Sequence, residues 1–410
     1  MKLSRMLTLL LIFGLLLVSC GGGNTNGNED MADNTAVSEP NTTENTAEPA
    51  EETVADVSAE ADVAGLESVR VAIVMPSTIT DLAWSQSLYD ALVRIQEEAG
   101  GPDNVEIAYT ENMFNVTDAA AAIRDYAADG FNLVIAHGTQ YGTSLFEIAP
   151  DFPETSFAWG TAVDTGKDQG LENIFAYEAR AEQGGFINGV LAANLSESGV
   201  LGVVGPVEAG DAKLYIDGFV AGATYANPDV QVNVSYTGSF GDTALAAEAA
   251  NTHIAAGADI LTGSAQQVVG AIGVAKEQGV FWMGTQADQS SLAPDIVVAS
   301  QVYDWQGVLS DMLQKNQAGE YGGTAYVLTL KNGGLVMQFA DGLNADAVAA
   351  ADEAAAMISD GSIDVMAMIS GEMMADAGDM AAEYPEIEPV RIALVMPSTI
   401  TDLAWSQSMY

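Results

Sequence analysis

The stretch VRVAIVMPSTITDLAWSQSLY, residues 69–89, decides the fold. Its first seven residues are a near-continuous apolar run, the pattern of a strand buried on both faces of a parallel sheet. Pro76, Ser77 and Thr78 turn the chain. Thr80 or Asp81 then caps a helix that carries Trp84, Leu88, Leu92 and Ile95 on one stripe. The alternation continues downstream. Strand-like runs occupy 105–110, 131–136, 156–159, 200–205, 230–237, 258–263, 280–285 and 295–300. Helical windows lie at 117–129, 142–149, 181–195, 211–226, 243–256, 265–278 and 304–317. Runs at 325–330 and 334–339 flank Asn332-Gly333 and read as a hairpin, and a last amphipathic helix fits 345–359. Strand–helix alternation of this length predicts an α/β protein of two lobes.

Upstream, Lys2 and Arg5 precede an apolar run over 7–18 that ends in Leu17-Val18-Ser19-Cys20. The run is too short to span a bilayer but suits a signal peptide, and small residues before a cysteine form a lipobox. Residues 1–20 thus read as a lipoprotein signal, with Cys20 the lipidated residue and the protein held at the cell surface or in the periplasm. Residues 21–66 are rich in Gly, Asn, Thr, Ala, Glu and Pro, contain no Lys or Arg, and read as a flexible acidic tether. Downstream, 390–410 repeats 69–89 at an offset of 321 with 18 of 21 positions identical. The expectation is a second copy of the domain, cut short at Tyr410, with 366–389 as the linker between copies.

The formal charge is 12 − 57 = −45, and the chain has one cysteine and two histidines. Such acidity disfavours nucleic acid as a partner, and one cysteine rules out a disulfide framework. No nucleophile elbow, phosphate loop or metal-ligand spacing occurs, so neither an enzyme, a cofactor nor a metal site is expected. With 49% hydrophobic residues the chain can build real cores.

In open parallel sheets, ligands bind beyond the carboxyl ends of the strands. Polar and aromatic residues collect there: Asp81 and Trp84, then Thr139, Gln140 and Tyr141, then Phe240, Gln266, Gln286 and Asp288. Trp84 shares a stripe with Leu88 and so fits either core or cleft, and Asp81 fits a cap as well as a contact. His137 reads as a hydrogen-bonded core residue and His253 as helix surface.

Together these segments resemble the basic membrane protein family of lipoproteins, substrate-binding components of ABC importers whose members with known ligands take up purine nucleosides or bases. The resemblance covers 69–365. It rests on Asp81-Leu82-Ala83-Trp84, EARAEQGGFINGVLAA (178–193), GSFGD (238–242), AAGADIL (255–261) with the segment 284–288, and VYDW (302–305). It implies a type I periplasmic-binding-protein-like fold: two parallel-sheet lobes flanked by helices and joined by three crossovers. Lobe 1 would comprise about 69–178 and 303–330, and lobe 2 about 179–300. The ligand, a purine nucleoside or base, would lie between the lobes and pass to an ABC permease.

Residue by residue, the resemblance implies that Asp81 and Trp84 face the cleft and that Phe240 is the second aromatic wall. It implies that Gln140 and Tyr141 read the base edge, Asp288 accepts from ribose hydroxyls and Trp305 borders the site. The sequence also departs from the family. A Lys common after the strand at 296–300 is replaced by the run Gln301 to Trp305, and an Asp-x-Asp is Gln286-Ala287-Asp288. A sugar or another small ligand, or a surface sensor built on the same fold, remains as the alternative reading.

Overall fold

The structure, a computed structural model, describes residues 54–55, 57–58 and 63–370. The expected signal peptide with Cys20, most of the tether, all but the start of the linker, and the repeat at 390–410 lie outside the described residues.

The described chain begins with β1 (Val54–Ala55), β2 (Val69–Val74), α1 (Trp84–Glu98), β3 (Val105–Thr110), α2 (Val116–Ala128) and β4 (Leu133–Ala136). It continues through α3 (Gly142–Ile148), β5 (Ser156–Gly160), β6 (Ile174–Ala179), α4 (Ala181–Leu195), β7 (Val200–Gly205) and α5 (Gly210–Ala226). Next come β8 (Gln231–Tyr236), α6 (Thr243–Ala255), β9 (Ile260–Gly263), α7 (Val268–Gln278), β10 (Phe281–Gln286) and β11 (Val297–Tyr303). The last elements are α8 (Gln306–Gln317), β12 (Ala325–Leu328), β13 (Leu335–Phe339), α9 (Ala345–Ser359) and α10 (Val365–Ser370).

Two sheets result. The first has the order β1-β12-β6-β5-β4-β2-β3, parallel throughout. The second has the order β13-β11-β10-β9-β7-β8 and is parallel except where β13 runs against β11. Apart from the edge strand β1, both contain one winding: β2 lies between β3 and β4, β7 lies between β8 and β9, and the later strands follow outward. The direction of winding reverses between β2 and β4 in the first sheet and between β7 and β9 in the second. The chain passes between the sheets three times: at Arg180, at Asp304–Trp305 and over 329–334.

The apolar runs are strands because both of their faces are covered. Val71, Ile73, Leu133 and Ile135 pack into one continuous core with Trp84, Trp305, Phe186 and Phe219. The other face of the first sheet packs on Ile123 and Leu145, and that of the second on Ala250 and Ile272. Helices α4 and α5 approach more closely than side chains would allow. A Cβ on Gly189 would lie 2.2 Å from the Phe219 carbonyl oxygen, and one on Gly222 would lie 2.0 Å from that of Phe186. Two pairs of glycines four residues apart (185 and 189, 218 and 222) let the two backbones touch.

Several expectations need correction. Residues 325–330 and 334–339 do not form a hairpin. Asn332 does turn the chain, its Oδ1 accepting from Thr329 and Gly334 N–H groups, but β12 joins the first sheet and β13 the second. The turn is a crossover because each strand has a longer partner elsewhere. Strand β6 was not expected from the sequence; it is buried in mid-sheet between β5 and β12. The tether does not extend to 66, since β1 pairs with β12 and Leu66 is buried in the core. The linker does not start at 366, because α10 places Met368 and Ile369 against that core. His253 is not on the surface: it is buried against β7, its Nε2 bonded to the Val203 carbonyl, in space left by Gly202.

Candidate functional site

A cleft opens at the carboxyl ends of both sheets, where the winding reverses and adjacent loops diverge. Its walls come from the segments after β2 and β4 (Pro76, Trp84, Gly138, Thr139, Gln140) and after β7 and β9 (Ala209, Asp211, Ala212, Ala265, Gln266). Phe114, Thr161, Phe240 and Gln286 complete it, and the space between them is about 490 Å³ including its open mouth.

The floor is set by the first helix. Asp81 accepts from the backbone N–H groups of Ala83, Ser85 and Gln86, which fixes the entry to α1 and the position of Trp84. The indole stacks on His137 at 4.2 Å with 3° between planes, and its Nε1 donates to the His137 carbonyl. His137 Nε2 lies 2.9 Å from the Trp84 carbonyl, which can only accept, so Nε2 carries the proton and the Tyr177 hydroxyl donates to Nδ1. Burial lowers the His137 pKa to about 3, which keeps the ring neutral. Tyr303 and Trp305 set their edges on the indole from the crossover between β11 and α8.

The second lobe supplies the polar wall. Asp211 lies in the first turn of α5 and is buried; its Oδ2 accepts from the Tyr303 hydroxyl at 2.8 Å and from Gln286 Nε2 at 3.3 Å. Burial pushes its pKa up to about 7 against the pull of those two bonds. Asp211 Oδ1, Gln286 Oε1 and Gln266 Oε1 are buried acceptors without a partner, all on residues that line the cleft. Leaving such atoms unpaired costs about 1–3 kcal/mol each. They constitute a demand for hydrogen-bond donors. Gln286 holds φ at +74°, Ala265 at +69° and Thr161 at +65°, strained values for residues with a Cβ that are found here together on the cleft wall.

Two rings stand at the mouth. Phe114 follows β3 and Phe240 follows β8; they are 48% and 38% exposed, whereas most large apolar side chains nearby are buried. The Phe114 ring reaches across to Gly241, where a Cβ would lie 3.4 Å from it. The lobes also meet deeper in, where Gln289 Nε2 donates to the Leu82 carbonyl at 3.2 Å.

Of the residues expected from the sequence, Trp84, Thr139, Gln140, Phe240, Gln266 and Gln286 line this cleft. Asp81, Tyr141, Asp288 and Trp305 do not. Asp81 is consumed by capping α1. Tyr141 is buried in the first lobe and donates to the Met113 carbonyl at 2.7 Å. Trp305 is wholly buried beneath Trp84, its Nε1 donating to Ser87 Oγ. Asp288 is exposed outside the cleft and accepts from Ser290 N–H, because the positive φ of Gln286 turns the chain away. Gln301 is buried, its Oε1 accepting from the Thr285 hydroxyl and its Nε2 donating to the Ala181 carbonyl.

Sequence reasoning missed Phe114 and Asp211 as site residues. Asp211 could have been found from the same rule as the rest, since it opens a helix after a strand beside the winding reversal. Phe114 sits in a loop without periodicity and gave no signal.

A family model described as ABC transporter substrate-binding protein, PnrA-like, matches residues 68–363. A purine-binding protein of Brucella abortus (strain 2308) is 30% identical over 239 residues, 58% of this chain and 66% of that protein. The transcriptional activator protein med of Bacillus subtilis (strain 168) is 30% identical over 234 residues, 57% of this chain and 70% of that protein. The chain thus spans about two thirds of the length of these relatives. An ABC transporter solute-binding protein from Conexibacter woesei DSM 14684 superposes with a TM-score of 0.60 at 24% identity, over 72% of this chain and 98% of that one. At that identity the likeness is one of fold, the type I periplasmic-binding-protein architecture.

Proposed function

The chain belongs to the PnrA-like family of ABC transporter substrate-binding proteins, and from that premise we propose that it delivers a purine nucleoside or nucleobase to an ABC importer. Lipid on Cys20 would hold it at the outer face of the membrane, a reading that rests on Lys2, Arg5 and Leu17-Val18-Ser19-Cys20.

The observation that carries the ligand class is the pairing of two exposed rings with three unpartnered acceptors. Phe114 and Phe240 offer faces to a flat heterocycle, and stacking contributes about 1–3 kcal/mol per base. Asp211 Oδ1, Gln286 Oε1 and Gln266 Oε1 call for ligand donors such as ribose hydroxyls and ring or exocyclic N–H groups. Among the described residues no Lys or Arg lines the cleft and a buried carboxylate, Asp211, does, which favours a nucleoside or base over a nucleotide. The purine-binding relative from Brucella abortus supports the same class.

Calorimetric titration of the refolded protein with adenosine, guanosine, inosine, adenine and ribose tests this. Micromolar or tighter binding of a purine is expected. A folded sample that gives heat with ribose or another sugar and none with any purine sinks the purine reading. A second reading, a ligand-gated surface sensor, is favoured by the relative named as a transcriptional activator. It predicts ligand binding without stimulation of any permease.

A further inference from the structure

We propose that the open groove between α5, β8 and α10 is the seat of the residues that follow it in the chain, 372–384, which would cover it instead of serving only as a linker. The proposal is independent of the transport reading and of the solute carried.

The groove is apolar. Val220 and Tyr225 of α5 and Val234 and Tyr236 of β8 line it together with Met368 and Ile369 of α10, and the space between them is about 1520 Å³ including its open side. Tyr225 is 50% exposed and Val234 37%, the latter on the edge strand of its sheet. An apolar face left open beside an unpaired strand edge marks a place where something docks. The groove shares no lining residue with the cleft, so the solute does not account for it. Met368 and Ile369 also pack on the core, so the chain leaves the described residues at Ser370 from within the groove.

The sequence that comes next has the pattern to fill it. Residues 372–384 read EMMADAGDMAAEY. Met373, Ala377, Met380 and Tyr384 recur at spacings of 4, 3 and 4, one apolar stripe of helical period. Glu372, Asp376, Asp379 and Glu383 recur at the same spacings on a stripe beside it. Gly371 separates the pattern from α10 and Pro385 closes it. Thirteen residues at helical rise span ~20 Å, the length of the groove wall from Lys213 to Tyr225, which is also thirteen residues. A helix this short is marginal alone, and the groove supplies the apolar surface it lacks. Unbranched Met side chains suit an irregular apolar wall.

Attachment decides the occupant. A segment that begins two residues beyond the groove is present there at about millimolar effective concentration, and a second copy of the chain would have to displace it. Among the described lining residues Lys213 is the one base, and Asp217 pairs with it, so the face has nothing with which to attract an anionic lipid surface.

The test is proteolysis of the full chain by a Glu-specific protease, which can cut after Glu383. Each rate is taken relative to that of the same chain in urea, which removes differences in subsite preference. In the folded parent, cleavage after Glu383 should be slowed at least about tenfold. Met373→Ser combined with Met380→Ser should abolish the slowing, as should Tyr225→Ser made from the groove side. Met373→Leu with Met380→Leu should keep it. Ligand titration should be the same in all of these, which separates the proposal from the purine reading. A folded parent cut as fast as the unfolded chain overturns the proposal, and so do Ser variants cut as slowly as the parent. Slowing that appears only as chain concentration rises, with a dimer in sedimentation, also overturns it and gives the groove to a second copy.

Discussion

The Tyr303 hydroxyl donates to Oδ2 of Asp211 at 2.8 Å, so a residue of the crossover strand holds the buried carboxylate of the cleft. The bond favours the charged form that burial disfavours. Tyr303→Phe removes it and should raise the Asp211 pKa above about 7. Ligand affinity at neutral pH should fall roughly tenfold, about 1.4 kcal/mol, near the lower end for hydrogen bonds to charged groups. Titrations from pH 5 to 9 should show the rise in affinity displaced to higher pH. An unchanged profile would separate Tyr303 from Asp211.

Asp211 also contributes to the pH dependence of the empty protein. Burial raises its pKa from the ordinary 3.8 to about 7 in the folded chain, so the folded chain retains a proton that the unfolded chain releases between those values. Stability is therefore lost as pH rises through that window, at up to about 1.4 kcal/mol per pH unit. Glu182, raised by burial to about 7, acts in the same direction. His137, lowered to about 3, opposes them, costing stability as pH falls from 6.5 towards 3. Asp211→Asn should make the empty protein more resistant to urea at pH 8, with little gain at pH 4, and should weaken ligand binding at least a hundredfold. Equal gains at both pH values would contradict the burial of an ionisable carboxyl.

Phe114→Ala and Phe240→Ala should each weaken purine binding by about 1–3 kcal/mol while leaving the melting temperature nearly unchanged, because both rings are exposed. Trp84→Ala should lower both. Its ring is 5% exposed, and removal strips His137 of its stacking partner. Calorimetry beside thermal melts separates the two patterns.

Gly222→Ala should destabilise by about 3 kcal/mol, since the added methyl would strike the Phe186 carbonyl of the facing helix. Gly273→Ala, in α7 where a Cβ meets nothing within 4 Å, should stabilise by about 0.5–1 kcal/mol. Urea midpoints measured on the pair would check both signs.

Much of the fold was legible because local pattern and tertiary role agree. Helices α4 and α9 start and stop where periodicity placed them, and β3 and β7 coincide with their apolar runs. What escaped depends on choices between distant partners. Nothing in AYVLTL or GLVMQF says that the first belongs beside β6 and the second beside β11. The cleft was legible as a set of loops and only in part as a set of side chains: Trp84, Thr139, Gln140, Phe240, Gln266 and Gln286 line it, whereas the expected Asp288 does not and Asp211 was missed. Asp288 and Asp211 both follow strands, and the sign of one φ at Gln286 sends the first outward. His253 looked exposed because its helix is mostly alanine, yet the hole that receives it is made by Gly202, fifty-one residues earlier.

The bond from Gln289 to the Leu82 carbonyl ties the lobes with a side chain at one end and main chain at the other. Substitution on the Leu82 side cannot delete the acceptor, because every amino acid brings the same carbonyl. Mutational drift in the first lobe can therefore alter the wall of the cleft while this tie persists. Any evolutionary adjustment of how firmly the halves hold together at this point is concentrated on a single codon, that of Gln289.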